Sequence, residues 1–181
     1  MDNLEKNIEI EFRSMFDENK YKELEEILKA QAKDLGEDNK NVYFFILSDK
    51  LLKVSDNISK KSAKITLKLE KIGQGSAFKE IEFPVDKASV PVAIELFKQL
   101  GYTHVIESFQ QRHNYLLDGV ELSLKYSKDW GYHLELEIMV KNESEREEAE
   151  FKIKELAQKL DVKLMSNNEL AEFVKRFEAK K

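Results

Sequence analysis

The most regular pattern along the chain is an alternation of apolar and charged residues. Ile8–Phe16 reads IEIEFRSMF, so its isoleucines and a phenylalanine share one face of a strand, while Glu9, Glu11 and Arg13 share the other. The chain contains further segments that we interpret as strands, at residues 41–48, 51–56, 62–71, 78–86, 102–117, 120–127 and 131–140. The pattern therefore predicts about eight strands. The glycine-bearing segment 72–76 is predicted to be a loop.

Four other segments carry apolar residues three or four positions apart, which predicts amphipathic helices. The first two cover residues 19–36 and 89–101, and each ends at a glycine. The last two are predicted to begin at Ser144 and Ser166, because each serine is followed three residues later by a glutamate in a capping box.

The connections between strands are mostly short, which is typical of antiparallel pairing, and Asp118-Gly119 is a two-residue hairpin turn. No stretch between strands resembles a flexible linker. Residues 1–181 are therefore predicted to form one α+β domain, an antiparallel sheet or barrel with helices packed outside. Two arrangements fit the alternation: an open sheet whose charged face lies in water, or a closed barrel whose charged faces point inward.

Composition narrows the class of protein. The hydrophobic share of 41% allows a packed core, and a formal charge of −5 argues against a nucleic-acid partner. The absence of cysteine excludes disulfides and thiolate catalysis. The first residues lack the apolar run of a signal peptide, and no stretch is long enough to cross a membrane, so we expect a cytoplasmic protein without a membrane partner.

The charged strand faces carry both signs of charge. If the strands close, glutamates, lysines and arginines share an interior that is costly to desolvate unless a ligand neutralises it. The carboxylates then need a divalent cation and the basic side chains need a polyanion. Magnesium bound by carboxylates and by substrate phosphates meets both needs, so a closed barrel favours a metal–phosphate ligand.

An ordered series of motifs supports this interpretation. The Glu9-x-Glu11-x-Arg13 strand resembles the ExExK signature of the CYTH superfamily, the triphosphate tunnel metalloenzymes. The resemblance continues across nearly the whole chain, in ITLKLEK (65–71), FKEIEFPV (78–85), RHNYLLDGVELSL (112–124) and WGYHLELEI (130–138).

The resemblance implies an eight-stranded antiparallel β-barrel, a tunnel with a charged interior, which binds a triphosphate with Mg or Mn. The implied metal ligands are Glu9, Glu11, Glu135 and Glu137. The implied substrate-binding residues are Arg13, Lys53, Lys64, Lys68 and Arg112, and Lys125 is a further candidate for a phosphate contact. The implied catalytic residues are Arg13, Glu135 and Glu137, and further lining is expected from Glu80, Glu82 and His133.

The implied activity is hydrolysis of inorganic triphosphate, ATP or thiamine triphosphate, by a monomer or homodimer. An alternative within the family is a class IV adenylate cyclase, which makes cyclic AMP from ATP. Three positions depart from the family pattern: Arg13 replaces a lysine, Ser55 replaces an arginine, and Lys125 replaces an acidic residue. These departures leave a third hypothesis open, a non-enzymatic module that binds polyphosphate or nucleotide.

Overall fold

The computed structural model describes residues 8–69 and 76–179, which form nine strands and four α-helices. The strands are β1 (Ile8–Phe16), β2 (Lys33–Glu37), β3 (Lys40–Ile46), β4 (Leu51–Asn57), β5 (Ser62–Lys68), β6 (Ala77–Val85), β7 (Val105–Leu117), β8 (Val120–Ser127) and β9 (Gly131–Val140). The helices are α1 (Glu18–Gln31), α2 (Val90–Gln99), α3 (Arg146–Lys159) and α4 (Asn167–Glu178). None of these helices is both long and apolar enough to cross a membrane. The predicted loop at 72–76 lies, except for Ser76, outside the described residues.

Eight of the strands close into an antiparallel barrel in the order β7-β3-β4-β5-β6-β1-β9-β8, with β8 pairing back onto β7. Closure confirms the predicted barrel and excludes the open sheet, whose charged face would lie in water. The ninth strand, β2, pairs with β7 beyond the part of β7 that pairs with β3. The long β7 therefore contacts two successive strands along one edge, and β8 along the other.

The end of the first helix differs from the prediction. The sequence pattern predicts a helix that continues to Gly36, but α1 ends at Gln31 and the chain turns into β2. Gly36 has a φ of +87° and lies where the register between β2 and β7 shifts. Its amide donates to Asp34 Oδ1 at 2.6 Å. A strand bulge and a helix end both favour glycine, because both place a residue at positive φ. Gly36 alone therefore could not distinguish a bulge from the end of a helix.

The start of the third helix is also displaced from the prediction. The capping box pairs Asn142 with Glu145, not Ser144 with Glu147, and Glu145 lies in a short 3₁₀ turn that leads into α3. The predicted box at Ser166 is confirmed, since the Ser166 side chain accepts from the Glu169 amide and the Glu169 carboxylate accepts from the Ser166 amide.

Three apolar clusters hold the helices on the barrel. Helices α1 and α3 cover the outer faces of β1, β8 and β9, where Ile10, Leu136 and Ile153 are fully buried. Helix α2 covers the outer faces of β3, β4 and β5. Helix α4 packs instead on side chains that point into the barrel at one end, Val42, Phe44, Leu51 and Trp130. The cavity of the barrel therefore has an apolar end covered by α4.

Candidate functional site

The barrel encloses a cavity of about 490 Å³, a size typical of sites for one small ligand. Every residue selected from the sequence as ligand, catalytic or lining residue borders this cavity: Glu9, Glu11, Arg13, Lys53, Lys64, Lys68, Glu80, Glu82, Arg112, Lys125, His133, Glu135 and Glu137. They converge because side chains two apart on a strand share a face, and all of these strands turn their charged face inward.

Strand register sets which charged groups become neighbours. Across the β1–β9 pair, Glu11 lies opposite Glu137 and Arg13 lies opposite Glu135. Across the β7–β8 pair, Arg112 lies opposite Lys125. Two cations directly opposite each other are destabilising unless an anion lies between them, and two carboxylates need a cation in the same way. The interior is therefore ordered by ion pairs that cross from strand to strand.

Glu135 is the centre of one such group, which we call the cation cluster: Glu135, Arg13, Arg112 and Lys125. Its Oε1 accepts from Arg13 Nε at 3.0 Å, and its Oε2 lies 2.9 Å from Lys125 Nζ and 3.8 Å from Arg112 Nη1. Burial alone would raise the pKa of Glu135, but the three cations hold this pKa well below its usual range. Glu135 is therefore a carboxylate with three cationic partners.

Glu9 and Glu11 belong to a second group around the ammonium of Lys68. Lys68 Nζ lies 3.0 Å from Glu11 Oε2 and 3.1 Å from Glu80 Oε1, and it also contacts Glu9 Oε2. Burial disfavours the charged form of Lys68, but these carboxylates keep its pKa well above the ordinary value. Arg13 links the two groups, since its guanidinium also contacts Glu11.

Glu137 differs from the other three glutamates because no ion pair to it is found among the described residues. Burial, together with repulsion from Glu9, Glu11 and Glu135, raises its pKa to about 8, although Arg112 acts in the opposite direction. Within the described ranges, no three acidic or histidine side chains converge closely enough to hold a metal ion in this arrangement. Instead, the ammonium of Lys68 lies between the carboxylates of Glu9 and Glu11.

A third group, which the sequence did not indicate, is centred on Asp38 between β2 and β3. The Asp38 carboxylate lies 2.8 Å from Lys40 Nζ and 3.1 Å from Arg112 Nε, so it helps to fix the side chain of Arg112. It also receives contacts from Asn57, Lys60 and Asn114. Asp38 falls in the polar stretch GEDNKN, which carries no alternating pattern. The sequence feature that could have indicated this group is Lys40. It is two residues before the buried Val42, so both side chains lie on the inner face of β3.

The remaining cations line the wall formed by β4 and β5. Lys64 pairs with Glu82 at 2.7 Å, and both side chains are nearly half exposed, so this pair lies at the open side of the cavity. Lys53 has no hydrogen bond or ion pair to a described residue, and burial together with the nearby Lys68 lowers its pKa. The positive charge of Lys53 is therefore the least balanced in the cavity.

His133 lines the cavity but is a neutral side chain. Burial and the adjacent Lys125 lower its pKa to about 4, and its Nδ1 lies 3.0 Å from the Gly131 carbonyl oxygen. Its ring is 5.6 Å from that of Trp130, which in turn packs against Phe173 of α4. His133 thus forms part of the boundary between the charged cavity and its apolar end.

Lys40 makes the stability of the fold depend on pH. Burial and repulsion from Arg112 lower its pKa from 10.5 to about 7, and Asp38 offsets this only in part because four other donors share its carboxylate. Between these pH values the unfolded chain binds a proton that the folded protein does not. The free energy of unfolding should therefore rise with pH, by at most about 1.4 kcal/mol per pH unit from this residue.

Urea unfolding of the wild type and of Lys40→Met at about pH 7 and about pH 9 measures this contribution. We expect the gain in stability with pH to be smaller in the variant, because a methionine side chain cannot titrate. Lys29→Met, at an exposed position on α1, serves as the control and should keep the wild-type slope. Equal slopes in all three proteins would show that Lys40 stays protonated throughout this range.

Comparisons with known proteins agree with this architecture. The PH1012 protein of Pyrococcus horikoshii OT3 is 30% identical, with a TM-score of 0.71 over 90% of this chain and 99% of that chain. A conserved hypothetical protein of Pyrococcus furiosus is 24% identical, with a TM-score of 0.70 over 86% of this chain and 91% of that chain.

A Hippeastrum adenylyl cyclase candidate described as having a dominant triphosphatase activity is 14% identical, with a TM-score of 0.60 over 87% of this chain and 89% of that chain. At this identity the likeness shows a shared fold alone. A search of curated proteins gives no match. The model of the CYTH domain matches residues 7–168, which is most of the chain. The protein whose barrel and charged cavity are described above therefore belongs to the CYTH domain family.

Proposed function

We propose that this protein hydrolyses a triphosphate inside the barrel, with Mg²⁺ or Mn²⁺ as cofactor. The observation that carries the proposal is the convergence of basic side chains from β1, β4, β5, β7 and β8 on one cavity that is also lined by seven glutamates, among them Glu9, Glu11, Glu135 and Glu137. The triphosphatase activity described for the Hippeastrum protein gives further support, because the two proteins share their fold.

The charge of the cavity is the reason for choosing a polyphosphate. Arg13, Lys68 and Lys125 are each less than a tenth exposed, and buried cations are costly without anionic partners. Glutamates balance them in the protein alone, while Lys53 has no partner among the described residues. A triphosphate would supply several oxygens at once, each able to accept a charge-assisted hydrogen bond from these side chains.

The carboxylates fit a hard divalent cation by their chemistry. Glu9, Glu11 and Glu137 offer only oxygen atoms as ligands, which Mg²⁺ and Mn²⁺ prefer, and Glu137 makes no ion pair within the described part of the chain. Lys68 lies between Glu9 and Glu11, so these carboxylates would have to exchange its ammonium for the metal. When bound, the metal would offset negative charge on the phosphate oxygens.

The chain's own residues would bind the substrate, orient it and stabilise the transition state. Arg13, Arg112 and Lys125 would bind phosphate oxygens on one side of the cavity, and Lys53 and Lys68 would bind them on the other. Their fixed positive charges would stabilise the charge that develops on the phosphoryl oxygens as water attacks in line with the leaving group. The barrel wall would keep the substrate oriented for this attack.

Phosphate release tests the proposal directly. The purified protein should be assayed with inorganic triphosphate, ATP and thiamine triphosphate, each with Mg²⁺, Mn²⁺ or a chelator. We expect metal-dependent release of orthophosphate from at least one of the three. Cyclic AMP without orthophosphate from ATP would identify a cyclase instead. Binding without any product, followed by the fluorescence of the single tryptophan, Trp130, would indicate a non-enzymatic module.

A further inference from the structure

Glu135 and Glu137 lie two residues apart on the inner face of β9, but cations surround Glu135 whereas glutamates flank Glu137. Glu135 has three cationic partners, and each of its oxygens is engaged. Glu137 faces Glu11 across the β1–β9 pair and Glu121 across the β8–β9 pair, and it makes no ion pair with a described residue, although the charge of Arg112 attracts it from a longer distance. The family resemblance gives both the same role as metal ligands, but their contacts differ.

We propose that Glu135 is a positioning residue, which holds Arg13, Arg112 and Lys125 as the phosphate-binding wall, and that the divalent cation is bound without it by Glu9, Glu11 and Glu137. This inference rests on the proposed function, since it assigns different side chains of the same cavity to the metal and to the phosphates.

The contacts of Glu135 are the first argument. A carboxylate that turned to a metal would give up Arg13 Nε at 3.0 Å or Lys125 Nζ at 2.9 Å, and would leave a buried cation with fewer anionic partners. Charge-assisted hydrogen bonds of this length are among the stronger interactions in proteins. Glu137 has no such bond to a described residue, so the two glutamates differ in their availability to a metal.

Strand register supplies a second argument. Arg112 and Lys125 are direct cross-strand neighbours, so their like charges need an anion between them. Glu135, on the neighbouring strand β9, contacts both side chains. It therefore offsets the repulsion between the two cations before a phosphate binds. It orients Lys125 directly, and it orients Arg112 together with Asp38, which lies 3.1 Å from Arg112 Nε.

Lys125 adds a third argument because it brings a positive charge to this part of the cavity. Its ammonium contacts Glu135 and is next to the neutral His133 in the β8–β9 pairing. A second positive ion at Glu135 would be repelled by Lys125, Arg13 and Arg112 together. A metal bound by Glu9, Glu11 and Glu137 is therefore expected to be repelled less by Arg112 and Lys125 than a metal bound by Glu135.

Mn²⁺ binding to the metal-free protein, measured by electron paramagnetic resonance of the free ion, tests the assignment without turnover. We expect Glu137→Gln to weaken Mn²⁺ binding at least about tenfold, and Glu135→Gln to change it less than about threefold. An equal loss in both variants would overturn the positioning role alone. A wild-type protein that binds no Mn²⁺, with or without triphosphate, would overturn the proposed metal-dependent function as well.

The separate changes in kcat and KM provide a second test. Loss of a residue that only supports the fold would not change kcat and KM in the pattern expected here. Glu135→Gln removes a negative charge near the phosphates but leaves the three cations without their common anchor. We therefore expect kcat to fall about 10- to 100-fold while KM for the triphosphate stays unchanged or decreases. A rise in KM with unchanged kcat would contradict the assignment.

If Glu135→Gln does not fold, Lys125→Met tests the same division of the cavity. It removes one cation of the wall, so KM for the triphosphate should rise about tenfold, whereas Mn²⁺ binding to the metal-free protein should not weaken. The charge-balanced double variant Lys125→Met with Glu135→Gln is the matched control for net charge and should also retain Mn²⁺ binding. A tenfold loss of Mn²⁺ affinity in either protein would show that this side of the cavity binds the metal.

Discussion

The double substitution Glu9→Gln with Glu11→Gln should lower kcat/KM for metal-dependent triphosphate hydrolysis by at least about 10³-fold. Both carboxylates point into the cavity from β1, and both would contribute oxygens to the divalent cation. Glutamine keeps the size and one oxygen of each side chain but loses the negative charge, so the loss should fall on metal binding before it falls on the fold. Phosphate release over a range of Mg²⁺ and Mn²⁺ concentrations measures the effect.

A matched control is available on the exposed face of α3. Glu148→Gln with Glu155→Gln makes the same chemical change at two exposed positions outside the cavity, and should leave kcat/KM within about twofold of the wild type. Circular dichroism should show that both double variants are folded. In the Glu9 and Glu11 variant, Lys68 retains Glu80 as an anionic partner. Full metal-dependent turnover in the Glu9 and Glu11 variant would rule out a metal site on β1.

The largest effect on stability is expected from Arg13→Met, which should lower the free energy of unfolding by about 3–5 kcal/mol. Arg13 contacts both Glu11 and Glu135, all three side chains are buried, and its guanidinium also lies 5.4 Å from the Trp130 ring centroid. Methionine can fill the volume but leaves two buried carboxylates with fewer partners. Thermal unfolding should show a decrease in Tm of about 6–20 °C.

Arg176→Met gives the comparison for this prediction. Arg176 lies on the exposed side of α4, so its replacement should change the free energy of unfolding by no more than about 0.5 kcal/mol. Arg13→Lys should fall between the two, because one ammonium cannot reproduce the contacts that the planar guanidinium makes with Glu11 and Glu135. A loss below about 1 kcal/mol in Arg13→Met would mean that Lys68 and Lys125 balance the carboxylates without Arg13.

The alternation in the sequence is sufficient to predict most of the charged strand residues that line the cavity. In a closed barrel of this kind, one face of every strand points inward, so a residue such as Lys68 or Glu137 can be placed from its own strand alone. Closure itself cannot be derived from alternation, because an open sheet shows the same period. The family resemblance supplies it, through motifs whose order along the chain is more specific than any single strand.

The pairing of charges inside the cavity could not be predicted, since it depends on register between strands that are far apart in sequence. Arg13 meets Glu135, which is 122 positions further along the chain, and nothing near either residue indicates this. The Asp38 group could not be predicted for a related reason. Asp38 lies in the connection between β2 and β3, and it contacts Arg112, which is far away in sequence. Strand β2 escapes it because its residues continue the helical spacing of α1 and only pairing with β7 makes them extended.

The position of β1 in the barrel has a consequence for how the protein folds. The strands β3 to β6 form one run of neighbouring hairpins, and β7 to β9 form another, whereas β1 pairs with β6 and β9, the outer strands of the two runs. During synthesis, the first strand must wait for the ninth before both of its edges are paired, and such distant contacts form slowly. Because β1 carries Glu9, Glu11 and Arg13, the cavity gains these groups only when the barrel closes. A partly folded chain would thus hold the basic side chains of β7 and β8 but lack two of the proposed metal ligands.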